Sequence, residues 1–153
     1  MNPIKIVYEG GEGEIVEKKS RFIATVKPVE SQEEALDFIA AMKKKYWDAT
    51  HNCFAFVADR AGNLPRFSDD GEPQGTAGMP ILEVLKNKGL SETAVAVVRY
   101  FGGIKLGAGG LVRAYSSSAA ENLSGADVRR LEMCEEWEIR AAYTDADAVK
   151  KFI

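Results

Sequence analysis

Five of the nine residues from Gly102 to Gly110 are glycine, and they follow TAVAVVRYF, a run apolar at almost every position. Glycine loses the most backbone entropy on folding, so a cluster this dense is costly and something must require it. The run before it, residues 93–101, predicts a central strand covered on both faces. The stretch after it, LVRAYSSSAAENL, completes a helix predicted over 109–124, with Leu111, Tyr115, Ala119 and Leu123 on one face. A strand, a glycine turn and a helix start in that order admit three readings. The segment is a phosphate cradle, a tight structural turn, or a surface that another macromolecule reads.

The chain around this unit alternates strands and helices. Residues 4–8 alternate apolar and polar, and EGGEGE supplies turn chemistry. IVEKKSRFIATV reads as a strand with Phe22, Ala24 and Val26 on one face, stopped by Pro28. Ser31 with Glu34 three residues on forms a capping box, which starts a helix over 31–45. Its apolar stripe is Leu36, Ile39 and Met42, with Ala35 and Phe38 beside them, and Lys43, Lys44 and Lys45 sit where the helix dipole favours cations. NCFAFVA reads as a buried strand, DRAGN as a turn, and LPRFS as an edge strand because of Pro65. After the loop DDGEPQGTAG, Pro80 suits the first turn of a helix over 80–88 that ends before Gly89. From Asp127 the pattern changes. RRLEMCEEWEIRAAY reads as a strand, and TDADAVKKFI as a helix start capped by Thr144 or Asp145. Residues 128–153 are therefore expected to open a second small domain, cut short, after a first domain over 1–127.

Composition narrows the function. The 153 residues carry 20 Lys and Arg against 23 Asp and Glu, a formal net charge of −3. A chain so charged is no polycation, and contact with nucleic acid needs a local basic patch. Cys53 and Cys134 lie far apart without metal-site spacing and read as free thiols in a reducing, cytoplasmic setting. No apolar stretch approaches membrane-spanning length, so no membrane partner is expected.

The motifs discriminate further. A P-loop needs Gly-Lys-Ser/Thr after a four-residue gap; Gly102 and Gly107 have the gap, but Ala108 stands where lysine belongs. Gly107 and Gly109 begin a dinucleotide pattern, yet Val112 occupies the place of its last glycine. No nucleotide cofactor or metal is expected. A recognition surface fits better: Arg99, Lys105 and Arg113 bracket the glycines, with Tyr100 and Phe101 adjoining. Cations beside aromatics contact phosphate, stack on bases, or carry a protein interface. A second loop has the opposite sign. Asp69, Asp70 and Glu72 suit acid–base work, a divalent metal, a solvated turn, or pairing of Asp69 or Asp70 with Arg99 or Arg113. His51 and Cys53, two apart on a strand, share a face, and the alternatives there are a nucleophile pair or an inert core thiol.

KKSRFIA, HNCFAFV, SDDGEPQGTAGMPIL and VVRYFGGIKLGAGGLVRAY, in this order, closely resemble the Impact family, which includes bacterial YigZ-type proteins and the eukaryotic protein Impact. The likeness runs from about residue 13 to 124. It implies an α+β fold like the second domain of ribosomal protein S5, with helices on one face of the sheet. It also implies a ferredoxin-like C-terminal domain, of which LEMCEEWEIRAAY resembles the first strand. Eukaryotic members restrain an amino-acid-starvation kinase by competing for its activator on ribosomes. Bacteria lack that pathway, so that partner is not carried over. The expectation is a non-enzymatic binding module in translation or its regulation. It would contact RNA or a ribosome-associated protein, with no sequence-specific DNA binding. The expected contacts are Arg99, Tyr100, Gly102, Gly103, Lys105, Gly107, Gly109, Gly110 and Arg113, with Asp69, Asp70 and Glu72 in the second loop. The alternative is an enzyme on a phosphorylated substrate, with the glycine loop as phosphate site and Asp69, Asp70 and Glu72 as metal or base site.

Overall fold

A computed structural model describes residues 4–152. The element order is β1 (Ile4–Glu9), β2 (Gly11–Glu17), β3 (Ser20–Pro28), α1 (Gln32–Lys45), β4 (His51–Val57), β5 (Pro65–Ser68), α2 (Gly78–Asn87), β6 (Leu90–Ser91), β7 (Thr93–Tyr100), α3 (Gly107–Ser124), β8 (Asp127–Leu131) and α4 (Ala146–Phe152). The fold is α+β. Five strands form an antiparallel sheet in the order β2-β3-β7-β4-β5, and β6, β1 and β8 form a second, three-stranded sheet.

β7 lies at the centre of the main sheet, as its unbroken apolar run requires. Side chains alternate across a strand. Val95 and Val97 point to one face and join the core with Phe22, Ala24, Cys53 and Tyr115. Ala94 and Ala96 point to the other and pack with Phe38, Ile39, Phe54 and Phe56. This pattern corrects the expected one-faced layout: α2 and α3 cover the first face, while α1 covers the second. A strand apolar at both parities needs an apolar cover on both sides. The Phe22 and Tyr115 rings meet edge to face at 5.1 Å, a contact worth about 0.5–1.5 kcal/mol beyond area burial.

α1 starts where the capping signal places it. Ser31 Oγ accepts from the Glu34 amide at 3.1 Å, and the Glu34 carboxylate accepts from the Glu30 amide at 2.8 Å. Its buried stripe is Ala35, Phe38 and Ile39 with Met42 beside them, whereas Leu36, expected inside, is exposed. The spacing 35, 38, 39, 42 is the i, i+3, i+4, i+7 set of one helix face, and Leu36 sits just off it.

Two segments differ more from expectation. IVEKKSRFIATV is not one strand but a hairpin. β2 and β3 pair through Glu17 and Ser20, and the two-residue turn between them is Lys18 and Lys19, with φ of 45° and 68°. EGGEGE is mostly strand β2 rather than turn. At the other end the strand expected over RRLEMCEEWEIRAAY is short. β8 pairs antiparallel with β1 as far as Leu131, opposite Ile4. Thr144 and Asp145 lie inside a 3-10 turn, Tyr143–Asp145, ahead of α4. No helix among the described residues is long and apolar enough to cross a membrane.

Candidate functional site

The end of the sheet where β3, β4 and β7 meet the glycine loop concentrates the polar chemistry. Its hub is Glu72, only 8% exposed. Arg99 Nη1 donates to both carboxylate oxygens, at 3.0 and 2.9 Å, and Tyr115 Oη donates to Oε2 at 2.6 Å. His51 Nε2 lies 3.1 Å from Oε1. The Asp70 carbonyl, an acceptor, sits 2.8 Å from His51 Nδ1, so both ring nitrogens face acceptor oxygens.

Arg99 is itself 5% exposed. Its guanidinium carbon lies 5.6 Å from the Phe22 ring centroid and 5.4 Å from that of Phe101. Ser20 Oγ accepts from Arg99 Nε and Nη2 at 3.4 and 3.3 Å and from the Gly102 amide at 3.2 Å. The pairing foreseen between the two loops therefore exists, but through Glu72. Asp69 and Asp70 are taken by backbone amides instead. Asp69 Oδ1 accepts from Ala77 N at 3.1 Å and Gly78 N at 2.8 Å, and Oδ2 from Gly75 N at 2.9 Å. It caps the start of α2, which has no side-chain cap of its own. Asp70 Oδ2 accepts from Asn52 N at 2.7 Å.

Cys53 is fully buried beneath this network, its thiol 3.1 Å from the Asp69 carbonyl and 3.4 Å from Tyr115 Oη. Burial pushes the thiol far above its ordinary range, and the nearby Glu72, Asp70 and Asp69 carboxylates add to that. Burial likewise raises the Tyr115 phenol, with Cys53 and Glu72 contributing, and so keeps it a donor. Cys53 therefore has the environment of an inert core thiol. Titration of the native protein with a thiol reagent is expected to label exposed Cys134 at once and Cys53 only after unfolding. A Cys134→Ser variant that still labels rapidly while folded would return Cys53 to the nucleophile candidates.

Other predicted residues divide between two faces. Tyr100, one place on from Arg99, points to the α1 side. There Asp48 Oδ1 accepts from its hydroxyl at 2.8 Å and the Arg21 guanidinium lies 5.3 Å from its ring centroid. It is thus parted from the glycine surface by strand alternation. Lys105 and Arg113 are exposed. The sequence reading missed Lys18 and Lys19, also exposed, which the hairpin turn brings to the same end. Gly102 sits against the Lys19 backbone, and Lys18 and Arg113 line one shallow depression with Gly110. Among the described residues none of these four cations is in an ion pair. A second cavity of about 400 Å³ lies alongside, with Phe101, Leu106 and Leu111 as apolar wall and His51, Glu72 and Lys105 as polar lining. No group of three or more His, Cys, Asp or Glu side chains able to hold a metal occurs among the described residues.

Comparison with known proteins adds ancestry. The family model of the Impact N-terminal domain matches residues 18–123. A Bacillus subtilis protein, IMPACT family member YvyE, is 49% identical over 141 residues, 92% of this chain and 63% of the relative. IMPACT family member YigZ of Escherichia coli is 37% identical over 138 residues, 89% of this chain and 68% of the relative. The chain spans about three fifths of the first relative's length and about half to two thirds of that of other bacterial relatives. A crystal structure described as that of a hypothetical protein superposes with a TM-score of 0.82 at 34% identity, over 99% of this chain and 74% of that one. A structure of the two-domain translational regulator Yih1 gives 0.51 at 21% identity, over 82% of this chain and 49% of that one, a likeness of fold.

Proposed function

Since this chain belongs to the Impact N-terminal domain family, we propose that it is a non-enzymatic binding module in the regulation of translation, whose basic glycine end contacts RNA. The observation that carries this reading is the gathering of Lys18, Lys19, Lys105 and Arg113, none of them in an ion pair among the described residues, at one end of a chain of net charge −3. Lysine and arginine free of partners suit phosphate contacts, which set affinity and its salt dependence. The description of Yih1 as a translational regulator points the same way. We also read the main sheet with α2 and α3 as an arrangement like the second domain of ribosomal protein S5. In the same way we read the segment beyond β8 as part of a ferredoxin-like second unit, its apolar Trp137, Ile139 and Phe152 exposed around one cavity, while β8 itself, where residue 128 lies, pairs with β1 and stays with the first. The enzymatic alternative draws less support. Its Asp69 and Asp70 carboxylates are committed to backbone amides and Glu72 to Arg99.

The test is Lys105→Glu together with Arg113→Glu, with thermal melting to confirm folding. Affinity for ribosomal RNA fragments, measured by fluorescence anisotropy, is expected to fall at least tenfold, about 1.4 kcal/mol. The dependence of log K on log salt is expected to flatten by about 0.7–0.9 for each phosphate that the variant no longer neutralises. A folded double variant that binds RNA like the parent, or a parent that binds none, overturns the RNA reading. Retention of a ribosome-associated protein after nuclease treatment would then assign the surface to that protein.

A further inference from the structure

Phe101 presents a puzzle that the cationic patch does not solve. It is a large apolar side chain, 47% exposed, directly after the most buried strand of the fold. It is also held. Its amide donates to Thr50 Oγ1 at 3.0 Å, and the Arg99 guanidinium carbon stands 5.4 Å from its ring centroid. That guanidinium is fixed in turn by Glu72 and Ser20. A ring backed by an immobile cation and pinned through its backbone is a pre-organised platform, and pre-organisation lowers the entropy cost of binding. The cavity beside it, about 400 Å³, falls within the roughly 300–1,000 Å³ of small-ligand sites. Leu106 and Leu111 make its wall apolar, His51, Glu72 and Arg99 line it already bonded to one another, and Lys105 lines it unpaired by any described acid.

We propose that this cavity accepts one unstacked base of single-stranded RNA, stacked on Phe101, with the adjoining phosphate at Lys105. The proposal rests on the RNA reading above and deepens it. Charge complementarity selects the occupant, since a purely apolar ligand leaves Lys105 unused and a lone phosphate leaves the Phe101 ring uncovered. Bases within an A-form duplex are hidden in their stack, so a site of this kind distinguishes single strands from duplex, whereas a cationic patch alone does not. Aromatic platforms combined with unpaired cations are the general means of holding single strands.

The experiment compares a single-stranded oligoribonucleotide with a blunt duplex of the same length, by anisotropy, for the parent, Phe101→Ala, Phe101→Tyr and the Lys105→Glu/Arg113→Glu pair. The parent is expected to favour the single strand at least tenfold. Phe101→Ala is expected to lose that preference with little change for duplex, Phe101→Tyr to keep it, and the charge-reversal pair to weaken both forms. Thermal melting establishes that Phe101→Ala is folded, and Phe101→Leu serves as the apolar replacement if it is not. If charge reversal weakens both RNAs while Phe101→Ala or Phe101→Leu leaves the preference intact, the base pocket is overturned and the cationic reading stands. Equal binding of the two RNAs by the parent also overturns the pocket alone. Binding of neither RNA overturns both.

Discussion

Replacing Glu72 with alanine is expected to lower the unfolding free energy by about 3–5 kcal/mol, because it leaves a buried guanidinium without its counter-charge. The Arg99 and Glu72 side chains are 6% and 3% exposed, and the two groups meet at 2.9 Å. With the carboxylate gone, Arg99 retains only Ser20 Oγ, at 3.3 Å or more, between two phenyl rings. Tyr115 Oη loses its 2.6 Å acceptor at the same time. For a chain of this size each kcal/mol moves the melting temperature by about 2–4 °C, so a fall on the order of 10 °C is expected by calorimetry. Glu72→Gln keeps one acceptor oxygen and should cost less. The double variant Glu72→Leu/Arg99→Met removes both charges, and should recover much of the loss, since apolar replacement of a buried pair is often close to neutral. A Glu72→Ala protein within about 1 kcal/mol of the parent would show that water reaches the guanidinium and that the pair is not a structural hub.

This pair also marks where sequence reading stops. The centrality of β7, the cap at Ser31 and the burial of Cys53 were legible because each follows from local pattern: two-faced apolarity, an acceptor three residues before a glutamate, a thiol among phenylalanines. The choice of Glu72 over Asp69 as partner of Arg99 was not. It depends on a loop in which Asp70 and Gly71 have φ of 39° and 87°, which turns Asp69 toward the start of α2 and leaves Glu72 facing β7. No periodicity reports such a path. Lys18 and Lys19 escaped for a related reason. A two-residue hairpin with positive φ at both positions is ordinarily announced by Asn-Gly or Asp-Gly, and two lysines there read as strand. The grouping of Tyr100 with Arg99 failed on a simpler point, since neighbours on a strand face opposite ways. That α1 covers the second face was implicit in β7 itself, because Ala94 and Ala96 need a cover as much as Val95 and Val97 do.

Within the glycine cluster, Gly102→Ala and Gly109→Ala are expected to move stability in opposite directions. A Cβ on Gly102 would stand 2.1 Å from both the carbonyl carbon and the oxygen of Lys19. Those are backbone atoms at the tip of the β2–β3 hairpin, and they cannot rotate away as a side chain can. Relief would require the hairpin to lift from the end of β7, and the Gly102 amide would lose its 3.2 Å bond to Ser20 Oγ, the same oxygen that holds Arg99. Forced overpacking typically costs 1–3 kcal/mol, and a backbone clash that also breaks a hydrogen bond belongs at the top of that range, so about 3 kcal/mol is expected. Gly109 lies in the first turn of α3, where a Cβ would meet nothing nearer than Arg113 Nη1 at 3.3 Å, the mobile end of a long side chain. Alanine there removes the entropy that glycine forfeits on becoming helical and should stabilise by about 0.5–1 kcal/mol. Urea unfolding of the two variants beside the parent measures both changes. A Gly102→Ala protein as stable as the parent would mean that the hairpin tip and the glycine loop do not touch. The Lys18–Lys19 turn would then no longer belong to the surface around Lys105 and Arg113.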